Sequence, residues 1–185
     1  MAREPHRARD LALLDAIDAF KRTPFVQPVW RVVREGRDPV TGSPSVSRWS
    51  NGTFDELYTS LERGGALAEI HTFLALQPVF PSKLRFYLHE LHVRASKSLH
   101  LADLATLANL GVDVANYSGR EYGRTQDIAD AAYFLGFDGL IAPSARWACL
   151  NAVLFTGRLM PDDIEITATE PEMIDWADWR KTARK

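Results

Sequence analysis

The stretch from Arg48 to Glu69, RWSNGTFDELYTSLERGGALAE, sets an arginine, a tryptophan, a tyrosine and a carboxylate around glycines and a turn-rich connection. Arg31 before it and Ser144 after it complete a set whose residue types suit the binding of an anion and work by a carboxylate. A guanidinium offers a planar fork of donors that matches the paired oxygens of phosphate or carboxylate. Arg31 lies in PVWRVVRE, where Val29, Arg31 and Val33 share one face of a strand, so its charge needs a carboxylate, carbonyl groups or a bound anion. A structural ion pair is the commoner solution and an anion site the other. Each remaining residue also has a structural explanation when taken singly: Glu69 as a solvated carboxylate, Tyr58 as a core aromatic, Ser144 as a turn residue, and Arg48 stacked on Trp49. Their order along one chain is what sets them apart.

The elements that must position them can be read in turn. Asp10 caps a helix with Leu13, Leu14, Ile17 and Phe20 at helical spacing, and Pro24 stops it. A strand begins at Pro28, and the segment from Gly36 to Ser47, with its prolines and glycines, is a surface loop of a length that is often functional. Asn51-Gly52 signals a turn and Leu57 to Ser60 a short strand. Thr59 with Glu62 resembles a capping box for a helix running to about Leu76, with Leu67, Ile70 and Leu74 inward and Gly64-Gly65 permitting a close backbone approach.

KLRFYLHELHV then reads as a strand whose apolar phase slips between Leu88 and Leu91, as a bulge near His89 or Glu90 would produce. A short helix from Asp103 to Leu110 closes on Gly111, and Thr125 caps a helix that Gly136 ends. FDGLIAPSA, LNAVLF and DIEITAT supply strands, and the tail forms a short helix presenting Trp176 and Trp179. Strands adjoin strands with helices interspersed irregularly. The expected fold is therefore α+β: a single compact domain with a mixed, mostly antiparallel sheet and flanking helices. It divides into an N-terminal helical arm (1–27), a core (28–170) and a C-terminal tail (171–185).

The chain has 185 residues and a formal net charge of -2. A domain of this size buries roughly 70% of the surface its unfolded chain exposes, so neither a metal nor a disulfide is needed to hold it. The charge balance offers no general attraction for nucleic acid or for acidic membranes. One cysteine, Cys149, fits a reducing compartment, the N-terminus lacks the apolar core of a secretory signal, and no apolar run is long enough for a bilayer, which together point to the cytoplasm. Phosphate-loop, dinucleotide, zinc-helix and serine-hydrolase signatures are missing. His89 and His92 lie on a strand at a spacing that favours packing roles, so no metal is expected.

The pieces WRVV, SRWSNGT, ELYTSLE, ALAE, IADAAYFLGFDGLIAPSAR and NAVLF, in this order across roughly Trp30 to Thr169, resemble RES-domain proteins, a toxin class named for an arginine, a glutamate and a serine. The resemblance places the family's arginine on Arg31, the arginine of its RW segment on Arg48, its tyrosine on Tyr58, its glutamate on Glu69 and its serine on Ser144. Val46-Ser47 stand where the family usually has a glycine-rich approach to RW, and Ser50 where it has asparagine. The resemblance implies a fold similar to ADP-ribosyltransferases and NAD as the substrate, degraded or used to transfer ADP-ribose. Arg31 and Arg48 would cradle its diphosphate, Glu69 would stabilise charge on the ribose or hold a hydroxyl, Tyr58 would face nicotinamide or ribose, and Ser144 would position either.

The same resemblance implies a helix-turn-helix, Xre-type antitoxin as partner, with DNA binding left to that partner. Self-association through Trp176, Trp179 or the N-terminal helix stays open. The alternative function is a non-enzymatic protein-binding module in which Arg31 and Glu69 form a buried ion pair.

Overall fold

A computed structural model of the chain describes residues 8–183; the first seven residues of the expected N-terminal arm and the last two of the tail lie outside the described residues. Its central feature is a ring of strands. β1 (Thr23–Arg34), β4 (Glu56–Ser60), β7 (Leu150–Phe155), β6 (Gly139–Pro143) and β5 (Phe86–His100) follow one another around the ring, which closes because β1 also pairs with β5. β8 (Ile164–Thr169) adds to β5 outside the ring, and among the described residues only the β5–β6 pairing is parallel. The expected mixed sheet is thus rolled into a closed barrel. Closure satisfies the strand edges that an open sheet would leave exposed.

β5 can serve three partners because of its length. One edge pairs with β1 from Phe86 to Ser98, and the other is shared between β8 at His89–Val93 and β6 at Ser98–His100. The apolar slip in its sequence has two causes. The register against β8 shifts between Glu90 and Leu91, which is the expected bulge. In addition, Leu88 belongs to the outer face covered by α2 (Arg63–Ala75) and α5 (Trp176–Thr182), whereas Leu91 and Val93 face Val29, Leu57, Ile141 and Leu154 inside the barrel. One strand therefore buries opposite faces at its two ends.

A third apolar cluster lies outside the ring, where α1 (Leu11–Asp18) and α4 (Gly123–Phe134) cover Leu140, Val153 and Phe155 with Ile17 and Ile128, joined by Phe137 from the turn after α4. Asp10 caps α1 as expected, its carboxylate accepting from the Ala12 and Leu13 amides. Asp103 likewise caps α3 (Leu104–Asn109) through Thr106, and Gly111 and Gly136 adopt φ of 84° and 80° after α3 and α4.

Several boundaries differ from expectation. β1 begins at Thr23, so Pro24 lies inside a strand rather than ending the first helix; a register irregularity between Thr23 and Phe25 accommodates it. Thr59 is no cap, because its hydroxyl donates to the Ala152 carbonyl across the β4–β7 ladder, and α2 starts after Glu62 without a side-chain cap. α4 starts two residues before Thr125, whose hydroxyl instead donates to the Arg48 carbonyl at 2.6 Å. Trp176 is 6% exposed and packs on Phe86, and the Trp179 ring lies tilted against that of Trp147, 5.4 Å between centroids, so the tail helix is docked rather than presented.

Gly139 marks a close approach of β6 to β7. A Cβ there would stand 2.5 Å from the Val153 carbonyl oxygen, a backbone atom that cannot swing aside, whereas at Gly123 nothing lies within 4 Å. Gly139→Ala should therefore cost about 1–3 kcal/mol in urea unfolding, and Gly123→Ala should be neutral or gain about 0.5–1 kcal/mol. Equal effects of the two substitutions would show that the β6–β7 packing is misdescribed.

Candidate active site

The site forms where the ring opens. β1 and β4 meet at one residue pair, Trp30 with Ser60, and then part. The loop from Gly36 to Arg48 enters the wedge, and its Ser43 bridges Glu56 through amide-to-carbonyl bonds of 3.0 and 3.1 Å. A cleft of about 530 Å3 follows this wedge, lined by Arg31 from β1, Ser45 to Arg48 from the loop, Glu56 and Tyr58 from β4, Glu69 and Phe73 from α2, and Arg120, Tyr122 and Arg146 from two further loops. The size suits a nucleotide-sized ligand.

Glu69 is held in the cleft through one of its two oxygens. Its Oε1 accepts from Ser144 Oγ and from Asn151 Nδ2, both at 2.8 Å, while Oε2 makes no hydrogen bond with the described residues. Ser144 Oγ in turn accepts from the Arg146 and Trp147 amides at 3.1 and 3.2 Å, so its proton is directed to the carboxylate. Asn151 is fully buried and also donates to the Tyr58 hydroxyl at 3.1 Å. α2, β6 with its following turn, and β7 thus each contribute one member. The close approach expected at Gly64 and Gly65 is part of this: a Cβ on Gly64 would stand 2.8 Å from the Trp147 ring, and one on Gly65 2.2 Å from Ser60 Oγ and 2.5 Å from Cys149 Sγ. Larger residues would hold Glu69 away from Ser144.

Burial pushes the Tyr58 phenol well above its ordinary range, with the Glu69 carboxylate and then Tyr117 adding to the effect against the Asn151 bond and Arg48. Tyr58 is therefore a neutral hydroxyl near pH 7.

Arg31 is the reverse case. Its Nη1 is buried without a partner, and among the described residues it forms no ion pair. Burial lowers its pKa to about 10, with Glu56 and then Asp38 opposing that shift, so it stays charged near pH 7. The Arg31–Glu69 ion pair of the alternative reading does not form among the described residues: Ser144 and Asn151 hold Oε1 of Glu69, and Glu56 is the carboxylate whose charge acts most on Arg31. A buried donor left unmade is costly, and an anionic ligand would satisfy it.

Arg48 occupies the turn of the β2–β3 hairpin (Val46–Ser47 and Ser50–Asn51); the turn expected at Asn51-Gly52 lies at Arg48-Trp49, while Gly52 takes a φ of 82° just beyond. Its guanidinium carbon lies 4.6 Å from the Tyr117 ring centre and 4.8 Å from that of Tyr122, and Nη2 donates to the Gly119 carbonyl at 3.1 Å. Rather than stacking on Trp49, which is fully buried, it braces the 117–122 loop. Arg146 does the same through the Ser118 carbonyl at 2.7 Å.

The structure brings Arg31, Arg48, Tyr58 and Glu69 to one cleft and sets Ser144 behind Glu69 as its support. Sequence reasoning missed Glu56, Asn151, Arg120, Tyr122 and Arg146. Asn151 was findable as the polar residue opening the apolar strand NAVLF, and Glu56 as the charge opening ELYTS; the arginines in loops carried no pattern. Among the described residues no group of three or more His, Cys, Asp or Glu could hold a metal ion, and no helix is long and apolar enough to cross a membrane. His89 instead meets Thr169 Oγ1 at 2.9 Å.

The RES-domain family model matches residues 28–177, and the chain belongs to this family. Among solved structures, the crystal structure of the M. tuberculosis MbcT–MbcA toxin–antitoxin complex contains a similar chain, with a TM-score of 0.82 and 19% identity over 96% of this chain and 100% of that one. At that identity the likeness shows a shared fold. No curated protein matches the sequence.

Lysine cannot reproduce the flat, sandwiched guanidinium of Arg48. Arg48→Lys should lower stability by about 1–2 kcal/mol and expose the 117–122 loop to limited proteolysis. Unchanged unfolding and unchanged cleavage would show that Arg48 does not brace the loop.

Proposed function

We propose that this chain is the toxin of a toxin–antitoxin pair and that it breaks the nicotinamide–ribose bond of NAD, by hydrolysis, by phosphorolysis or with transfer of ADP-ribose to a protein. The observation that carries this reading is the Glu69 carboxylate, fixed through Oε1 and free at Oε2, in the same cleft as an arginine with an unmet donor. Membership of the RES-domain family supports it, as does the likeness to a structure whose title names a toxin–antitoxin complex. On this reading the barrel is related to ADP-ribosyltransferases, a helix-turn-helix antitoxin of the Xre type is the natural partner, and the protein works in the cytoplasm.

Arg31 grips the diphosphate and Arg48 lines the cleft while holding its loop. The C1′–N bond then breaks with its electron pair passing to the nicotinamide nitrogen, which neutralises the pyridinium. The leaving group needs no proton, so neither a metal nor an acidic group is required, in keeping with a Tyr58 phenol held protonated. Positive charge develops on the ribose, the problem that glycosidases solve with carboxylates. Oε2 of Glu69 stabilises that charge or orients the acceptor, and water, phosphate or a protein nucleophile completes the new C1′ bond and gives up its proton. Tyr58 supplies a neutral hydroxyl and a flat face beside the reacting ribose.

Purified protein incubated with NAD should release nicotinamide in phosphate-containing buffer or cell extract, and Glu69→Gln should lower the rate by about 10²–10³. Wild type inert under all these conditions would overturn the enzymatic reading; equal release by both proteins would remove Glu69 from its role. Identification of the second product separates ADP-ribose, its 1″-phosphate and a modified protein.

A further inference from the structure

The proposed reaction leaves one buried charge in the cleft unused. Glu56 is 3% exposed, and its two oxygens accept from Ser45 Oγ at 2.7 Å and Ser47 Oγ at 3.0 Å. Both partners are neutral. Across the wedge stands Arg31 with its unmet Nη1, near enough for each charge to act on the other yet outside ion-pair distance. A structural pair would close such a gap. Here the acid is satisfied by hydroxyls from the loop and the base is left open.

We propose that Glu56 is the counter-charge governing this anion site: in the empty cleft it balances Arg31 across the wedge, and a diphosphate that takes Arg31 binds together with a proton that Glu56 accepts from solvent. The inference rests on the proposed function only for the identity of the anion. The empty wedge holds one positive and one negative charge, and a diphosphate diester adds two negatives to it. Protonation of Glu56 removes one of these, Arg31 stays charged throughout, and the proton returns to solvent on release. The serine hydroxyls permit the change, since a protonated Glu56 donates to one serine while still accepting from the other. The network need not break.

The electrostatics agree in sign. Burial already raises the Glu56 pKa, against the two serine bonds and Arg31, and an anion at Arg31 would cancel that last opposing effect. Arg31 from β1 is the charge that acts on Glu56 directly. Asp38 of the loop acts on Arg31, and its own carboxyl is held low by Thr41 and the Val40 amide. Glu69 faces the cleft from α2, and Arg48, Arg120 and Arg146 bring positive charge from the hairpin and loops. β7 sets the apolar Phe155 opposite Glu56 on its other side. His89, opposite Arg31 on β5, could also take up a proton, its pKa being lowered by burial and then by Arg31.

Calorimetric titration with ADP-ribose, whose diphosphate does not titrate between about pH 5 and 9, tests this in two buffers of different ionisation enthalpy. Because the bound anion raises the Glu56 pKa, affinity should increase as pH falls between the bound and free values, by at most about tenfold per unit, with up to one proton taken up. Glu56→Gln, a neutral mimic that keeps both serine bonds, should bind about tenfold tighter at about pH 8 and take up no proton. His89→Gln should keep the uptake. No binding at any pH, binding by wild type without proton uptake, uptake that survives in Glu56→Gln, or uptake lost in His89→Gln would each overturn the assignment. Should Glu56→Gln fail to fold, wild type and His89→Gln still decide. A protein that binds ADP-ribose with proton uptake yet releases no nicotinamide from NAD keeps this inference and loses the proposed reaction; nicotinamide release with pH-independent ADP-ribose binding does the opposite.

Discussion

The rest of the site depends on the two hydrogen bonds accepted by Glu69 Oε1 from Ser144 and Asn151. A carboxylate beside a leucine-lined helix would otherwise turn to solvent or to the nearest cation, and Arg31 is in the same cleft. Directed donors decide the contest: the Ser144 proton can point only forward because two backbone amides occupy the oxygen from behind, and the Asn151 amide is fixed by full burial. The carboxylate therefore keeps one open oxygen, and Arg31 keeps its donors. A closed Arg31–Glu69 pair would spend both groups on each other.

Holding those two bonds explains otherwise unrelated features of the fold. α2 must meet the β6–β7 segment, 75 residues or more away in sequence, within hydrogen-bond distance, which the closed ring achieves by placing β4, β7 and β6 side by side and seating α2 directly after β4. Gly64 and Gly65 remove the side chains that would lift α2 from Trp147, Ser60 and Cys149. The single pairing of β1 with β4 opens the wedge that lets Arg31, on the inward-facing side of its strand, reach the same space. Low solvent exposure then strengthens every charge in it, and a preorganised site of this kind needs little rearrangement when charge develops on a substrate.

Much of this was legible in the sequence, for identifiable reasons. Helical spacing gave α1 and the inward face of α2, the Gly64-Gly65 pair gave the close approach, and the odd position of an arginine in PVWRVVRE marked Arg31. What could not be read were pairings that depend on distant partners. Thr59 and Thr125 looked like helix caps because local sequence offers that use, yet tertiary bonds to Ala152 and Arg48 claimed their hydroxyls. Ring closure was hidden because β1 reads the same whether one or both of its edges are paired. Glu56 and Asn151 were overlooked because a lone polar residue at the start of a strand is ordinarily exposed, and only the wedge and the barrel wall bury them.

The central claim is that Ser144 contributes through Glu69, and a double-mutant cycle on nicotinamide release tests it most directly. Ser144→Ala should slow wild-type protein by about tenfold, as the loss of one charge-assisted bond of about 1.5 kcal/mol would, and should change almost nothing in the Glu69→Gln background. Equal, additive losses in both backgrounds would show that Ser144 acts on the substrate independently and would contradict the account.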